Sequence, residues 1–498
     1  MLIPAALLMK RHHALLPETV GVMASQGVMK RHHALLPETA GVMALQMALQ
    51  SQMEREDLGN LLRAEIQQLH QEGLATSGEE DVLGPAARPE TLADQYLRLF
   101  VAPRLQDFPF VEPHTLAEIR RARPAGPRAI VPDLDAASLH DRILGGWLGR
   151  VAGCVLGKPV EPWGQQETIG RYLKLAGSYP LADYIPRLDP FPTGFFLNPG
   201  ATGCFRGEIH GAPPDDDTDY TVLGLHLLEA HGLALRTADV AAAWLHHLAY
   251  TRTWTAERAT YRNLVLGVPP EQAARVLNPE REYIGARIRA DIYGLVCPGN
   301  PELAADLAYR DAALSHTKNG VYSAMFLAAC IAWAFVTDDV AEVIRVGLSE
   351  IPASCRLAEA IRGVLALRPE AADWAATYAR LLPAQSVYHP VHAINNTVWL
   401  VLALLYGEGD FEKTICTAVM CGFDTDCNAA NAGAVLGTII GAQALPRKWT
   451  DPLADTLRTA VAQYGDVRIS TLARRTARLA ETNLHLVAEL SHNPGGKS

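Results

Sequence analysis

The sequence predicts an all-α protein, and three observations carry the prediction. From residue 139 onward nearly every long segment repeats its apolar residues at helical spacing. Alternating strand patterns are scarce. Two glycine rows recur at a spacing of four, Gly145, Gly149, Gly153 and Gly157, then Gly433, Gly437 and Gly441. Glycines four apart share one helix face, and each costs about 1 kcal/mol relative to alanine inside a helix. Such rows imply that another backbone comes very close.

The composition fits a large folded core. The 498 residues are 49% hydrophobic and 20% charged, an ordinary globular balance. Length alone allows about two or three domains. The net charge of -10 argues against a general nucleic-acid binder, because phosphate binding needs a basic surface. Eight cysteines are scattered without a CxxC, so neither a zinc ligand set nor a disulfide framework is visible. Free thiols in a reducing, cytoplasmic compartment are expected. No uninterrupted apolar run reaches the length of a membrane span. Residues 1–8 are apolar but lack a basic flank and a clear cleavage site, so no signal peptide is expected.

Taken in order, the chain begins with a near-perfect repeat. Residues 9–19 recur as residues 29–39. Two copies are too few for a solenoid and suggest a local duplication or a mis-set start codon. Their histidine pairs have no ligand-spaced neighbours. Residues 45–72, rich in Leu, Gln and Glu, read as one amphipathic helix that packs on the main body or on another subunit; the oligomeric state stays open. Residues 76–80 and 84–89 read as loop. Helical stretches follow near 91–100 and 115–123, and Pro124-Ala125-Gly126-Pro127 breaks the chain. The expected division is an extension over 1–88, a proline-rich connector over 89–132 and a main domain over 133–498. Within that domain helices are expected at 221–231, 238–248, 301–313, 322–335, 340–350, 396–405 and 456–464. Residues 181–212 are the exception, rich in Pro, Gly and aromatics. A loop this long inside a helical domain is usually functional or disordered. It leads straight into a run of aspartates, which favours a functional loop. Arg206 and His210, residues 315–320 and residues 388–396 are candidates to line a cleft, with a structural role for their histidines equally open.

Two acidic stretches stand out. Asp215, Asp216 and Asp217 follow two prolines and precede an apolar helix. One carboxylate caps a helix; three adjacent ones repel each other and exceed what a cap needs. Oxygen-rich clusters suit hard cations such as Mg²⁺, Mn²⁺ or Ca²⁺, while a solvated acidic turn is the plain alternative. Asp424 and Asp426 head the second glycine row, where the macrodipole favours negative charge and simple capping accounts for the same residues. Glu161 sits just past the first row, and on its own reads as a loop carboxylate.

The ordered set of three stretches resembles the ADP-ribosylglycohydrolase family. Gly157 to Glu161 match its Gly-x-x-x-Glu, Asp215-Asp216-Asp217-Thr218 its Thr-Asp-Asp-Thr, and Gly422-Phe423-Asp424-Thr425-Asp426-Cys427 its Gly-Gly-Asp-Thr-Asp-Thr. The resemblance covers roughly residues 139–443; the N-terminal segment and the loop at 181–212 lie outside the compact pattern, as in a longer bacterial member. It implies an all-α orthogonal helical bundle with two divalent cations, Mg²⁺ or Mn²⁺, at the bottom of a cleft. Asp216, Asp217, Asp424 and Asp426 are then metal ligands, with Asp215 in the place of a threonine ligand. Cys427 stands where Thr or Ser is usual, and Cys154 where the first motif commonly has aspartate. Glu161, by the resemblance, and Asp217, by its crowded acidic setting, are the candidates to move a proton.

The implied activity is hydrolysis of a ribosyl C1 bond in ADP-ribosylated side chains or small conjugates. Positive charge builds at the anomeric carbon, cations grip and orient the ribose diol, and a carboxylate manages the proton. The expected partner is an ADP-ribosyl substrate, with no nucleic acid and no membrane. A non-catalytic ADP-ribose-binding or crystallin-like relative, or a hydrolase of nucleosides or phosphate esters, are the competing readings. The leaving group is not legible.

Overall fold

The computed structural model describes residues 55–74, 99, 105–368, 370 and 373–492. The duplicated segment, residues 45–54 and, apart from Leu99, the stretch at 91–100 lie outside the described residues. The helices of the fold include α1 (Arg55–Gln71), α2 (Ala136–Gly157), α3 (Asp216–His231), α4 (Lys318–Trp333), α5 (Ala393–Gly407), α6 (Thr425–Ile440) and α7 (Ile469–His492).

The two glycine rows meet. Helices α2 and α6 run antiparallel with their backbones in contact. A Cβ placed on Gly145, Gly149 or Gly153 would lie 2.1, 2.0 or 2.0 Å from the carbonyl oxygens of Gly437, Gly433 and Ala429. Placed on Gly433 or Gly437, it would lie 2.1 or 2.2 Å from the oxygens of Gly149 and Gly145. No side-chain carbon fits at such distances, which is why the rows are glycine. The last member has another task. Gly441 ends α6 at φ +78°, a left-handed conformation that glycine adopts without strain.

Helix α4 is buried along its whole length, as is nearly all of α5 and α6. Helices apolar on every side belong in a core. Helix α7 packs outside α2, where Trp147 Nε1 donates to Thr476 Oγ1 at 3.0 Å. The fold is thus all-α, as the spacing predicts.

Most expected helices are present, with their ends displaced. Asp215 and His392 cap helices that begin before the apolar run does, whereas Asn300 and Asp339 cap helices at their expected starts, which end one and two residues early. Residues 115–123 give Leu116–Ala122 behind a Thr115–Glu118 capping box.

Residues 456–464 correct the reading: strand β1 (Thr456–Arg458) and a turn stand where a helix is expected. Leu457 and Val461 are both buried and four apart, which mimics a helical face. The backbone instead finds partners across the chain. Ala212 N donates to Thr456 O at 2.9 Å and Arg458 N to Ala212 O at 3.0 Å. Strand β2 (Asp466–Arg468) pairs antiparallel on the other side. This hairpin is the only sheet among the described residues.

Candidate active site

The glycine contact delivers two motifs to one place. At the end of α2 a Cβ on Gly157 would lie 2.4 Å from Asp426 N, so the first motif rests on the head of α6. Thr425 Oγ1 donates to Gly157 O at 2.9 Å. Past Gly157 the chain makes a short turn at Glu161–Trp163. Phe423 N then donates to Gly164 O at 2.7 Å, tying that turn to the third motif. Phe423 holds a left-handed φ of 62°, costly for a large side chain, and its ring packs at 5.4 Å from Trp399. Asp424 N donates to Asn396 Oδ1 at 3.2 Å. Asn428 Nδ2 donates to the same oxygen at 2.9 Å, and Arg287 holds Asn428 Oδ1 at 2.5 Å. The loop that carries Asp424 is therefore pinned from both sides.

The second motif arrives through α3. Asp215 caps it, accepting from Asp217 N at 3.0 Å. Buried Arg150, on α2, donates to Asp217 O and holds Asp291 at 2.8 Å. It stands 3.4 Å from the Asp217 carboxylate.

Asp215, Asp217, Asp424 and Asp426 converge here with Glu161, and Asp216 feels the charges of Asp215, Asp426 and Glu161. Glu161, Asp424 and Asp426 place oxygens within 4.8 Å of one another, as Asp217 and Asp426 do with Cys427 Sγ, and Asp215 and Asp217 with Cys154 Sγ. The organiser is Lys158. Its Nζ lies 2.9 Å from Asp215, 3.0 Å from Asp426 and 3.1 Å from Glu161.

Crowding sets the electrostatics. Burial, then neighbouring carboxylates, push Asp216, Asp217 and Asp424 well above the usual carboxylate range. Burial pushes Asp215 the same way, but the Lys158 ammonium overrides it and holds the carboxyl low. Glu161, at the open edge, is pushed up to about 7 by burial and by Asp426, against the pull of Lys158. Burial and Asp217 push the Cys427 thiol far up, so it stays a neutral SH.

The donor set fits a hard divalent cation. It is almost all carboxylate oxygen, and Asp424 Oδ1 is buried yet accepts no hydrogen bond. A buried acceptor without a donor is costly, and a cation would satisfy it.

The other candidates go elsewhere. Arg206 pairs at the surface with Asp183 at 3.7 Å, and His210 is exposed. In residues 315–320, Ser315 accepts from Arg289 at 2.7 Å and Lys318 pairs with Glu72. His389 stacks on Tyr283, and buried His392 caps α5. Of residues 388–396, Asn396 alone is bonded to a motif residue. The loop at 181–212 does touch the site, because Asn198 Nδ2 donates to Lys158 O at 3.0 Å. Sequence reasoning missed Lys158, Arg150 and Asn428. Arg150 is a charge inside a glycine row, and Asn428 falls one helical turn after Asp424; both were signals. Lys158, at a helix end before a proline, gave none.

The family model for ADP-ribosylglycohydrolases matches residues 135–484. A search of curated proteins finds no match. A solved structure described as "ADP-ribosylglycohydrolase-related protein complex" is 19% identical, with a TM-score of 0.47, over 69% of this chain and 99% of that one. At that level of likeness the assignment rests on the family match, which spans well over half of the sequence. The chain belongs to the ADP-ribosylglycohydrolase family, and is a hydrolase of the glycosidase type.

Proposed function

We propose that the chain hydrolyses the ribosyl C1 bond of ADP-ribosylated protein side chains or small ADP-ribosyl conjugates, with a divalent cation, Mg²⁺ or Mn²⁺, held by the carboxylate cluster. The observation that carries the reading is the convergence of carboxylates from three distant stretches on Asp426, with Glu161 and Asp424 in one cluster around it and Asp217 in an adjoining one. A cation bound there would grip ribose hydroxyls and offset negative charge on the attacking oxygen.

The chain's own residues do the rest. Asp216, Asp217, Asp424 and Asp426 hold the cation. Glu161 takes the proton from the attacking water or gives one to the leaving group. With its carboxyl pushed up to about 7, it exchanges a proton readily near neutral pH. Asp217 is the second carboxylate of the pair, but Arg150 anchors its backbone, which suits a ligand better than a mobile base. The Arg287–Asn428–Asn396 chain keeps Asp424 in place. All eight cysteines are buried free thiols, in keeping with a reducing cytoplasm. Among the described residues no helix is long and apolar enough to cross a membrane.

The test is a panel of ADP-ribosylated substrates, arginine-linked, serine-linked, nucleobase-linked and small-molecule, incubated with Mg²⁺ or Mn²⁺ and resolved chromatographically. Free ADP-ribose should accumulate from at least one. ADP-ribose binding without release from any member would contradict the proposal and support the non-catalytic reading.

A further inference from the structure

One ammonium is shared by a carboxylate from each motif. Lys158 Nζ lies 2.9 Å from Asp215 Oδ2, 3.0 Å from Asp426 Oδ2 and 3.1 Å from Glu161 Oε2. Three carboxylate oxygens converging on one point describe a cation position, and an ammonium has one proton for each of them. A divalent ion held by the same oxygens would stand roughly 2.0–2.6 Å from each, in the volume that Nζ fills. Two positive centres cannot share it.

Asp215 balances Lys158 in charge. The resemblance implies a neutral threonine there, and this chain has a carboxylate facing Lys158. The two departures compensate in charge: an extra anion accompanies an extra cation. Across Asp426 the balance differs. Asp424 Oδ1 is buried and accepts no hydrogen bond, and the carboxylate of buried Asp217 has a cation only at 3.4 Å, from Arg150. That side still calls for an ion.

We propose that the Lys158 ammonium permanently fills one of two cation positions, so that the chain takes up a single exchangeable divalent cation on the Asp217, Asp424 and Asp426 side. The inference rests on the cation-dependent function proposed above. An ammonium has no open coordination position, so only the exchangeable ion polarises a water, and Lys158 positions Glu161 and Asp426 around it.

The experiment counts metal. Metal-stripped full-length protein is titrated with Mn²⁺ by equilibrium dialysis, and its Mn²⁺ spectrum is recorded by electron paramagnetic resonance. The wild type should bind one Mn²⁺ per chain, with the signal of an isolated ion. Lys158→Ala should bind two, a twofold rise, with the signal of a spin-coupled pair. Lys158→Ser, which leaves a hydroxyl in the opened space, should behave alike and decides the matter if the alanine variant does not fold by circular dichroism. Two ions in the wild type, or one in a folded variant, would overturn the role of Lys158 while leaving the proposed function intact. None in the wild type would overturn cation dependence itself.

Discussion

Asp426 is the residue on which the site's charges meet. One oxygen faces Lys158 at 3.0 Å, and the other accepts from Cys427 N at 3.1 Å. With Asp216 it should be indispensable for binding an ion. Asp216→Ala combined with Asp426→Ala is expected to abolish Mg²⁺ binding and turnover while leaving the helical circular dichroism unchanged, because removing crowded like charges does not strain the fold. Unchanged Mg²⁺ affinity by calorimetry would refute the ligand assignment. Cys427 offers a neutral thiol within reach of Asp217 and Asp426, and Mg²⁺ prefers oxygen. Cys427→Thr should therefore tighten Mg²⁺ binding several-fold; equal or weaker affinity in a folded variant would place position 427 outside the ligand sphere. The aspartates stood out in the sequence because three adjacent carboxylates exceed what a helix cap needs; their convergence was left to the structure. Lys158 was not legible, because a lysine near a helix end, three residues before a glutamate, is commonplace, and its other two partners lie 57 and 268 residues away along the chain, at Asp215 and Asp426.

Helices α2 and α6 turn sequence into position. Their glycine contact fixes the axial register, and the register brings Gly157 to the head of α6, where Asp424 and Asp426 stand. A methyl group at Gly149 would collide with the Gly433 carbonyl, so Gly149→Ala should cost about 3 kcal/mol or more and lower activity as the register slips. Gly363, in the helix Arg356–Leu367, meets nothing within 4 Å. Gly363→Ala should stabilise by about 0.4–1 kcal/mol. Urea unfolding of both variants makes the comparison, and equal midpoints would show that the contact is not tight. This register was half legible: the spacing showed that a backbone comes near, and the meeting of the two rows was left to the structure. Residues 456–464 were misread because Leu457 and Val461 satisfy helical and hairpin packing alike, and Ala212, which settles the matter by pairing with β1, is far away in the sequence.

At the scale of the whole molecule, α1 is joined to the body through buried charge. Glu65 and Glu72 pair with Arg281 at 2.6 and 2.8 Å, Glu72 with Lys318, and Gln68 donates to Glu282 at 2.7 Å. Glu282 also faces Arg356 at 2.8 Å. Removing one side of a buried pair costs about 3–5 kcal/mol. The motifs all lie beyond residue 156, so a chain lacking residues 1–88 is expected to keep its turnover per folded molecule while its unfolding midpoint falls; full stability in the truncated protein would show the ion pairs to be incidental. Periodicity made α1 legible as a helix, but partners 209 and 216 residues away for Glu72 and Glu65 leave no local trace. The proposed function turns on one proton transfer at Glu161. The decisive measurement is steady-state hydrolysis by Glu161→Gln beside the wild type, on an ADP-ribosyl substrate that the wild type cleaves, at saturating Mg²⁺. The amide keeps the shape and cannot exchange the proton, so kcat should fall by about 10²-fold or more with KM and Mg²⁺ affinity little changed; a kcat within a few-fold of the wild type would contradict the account.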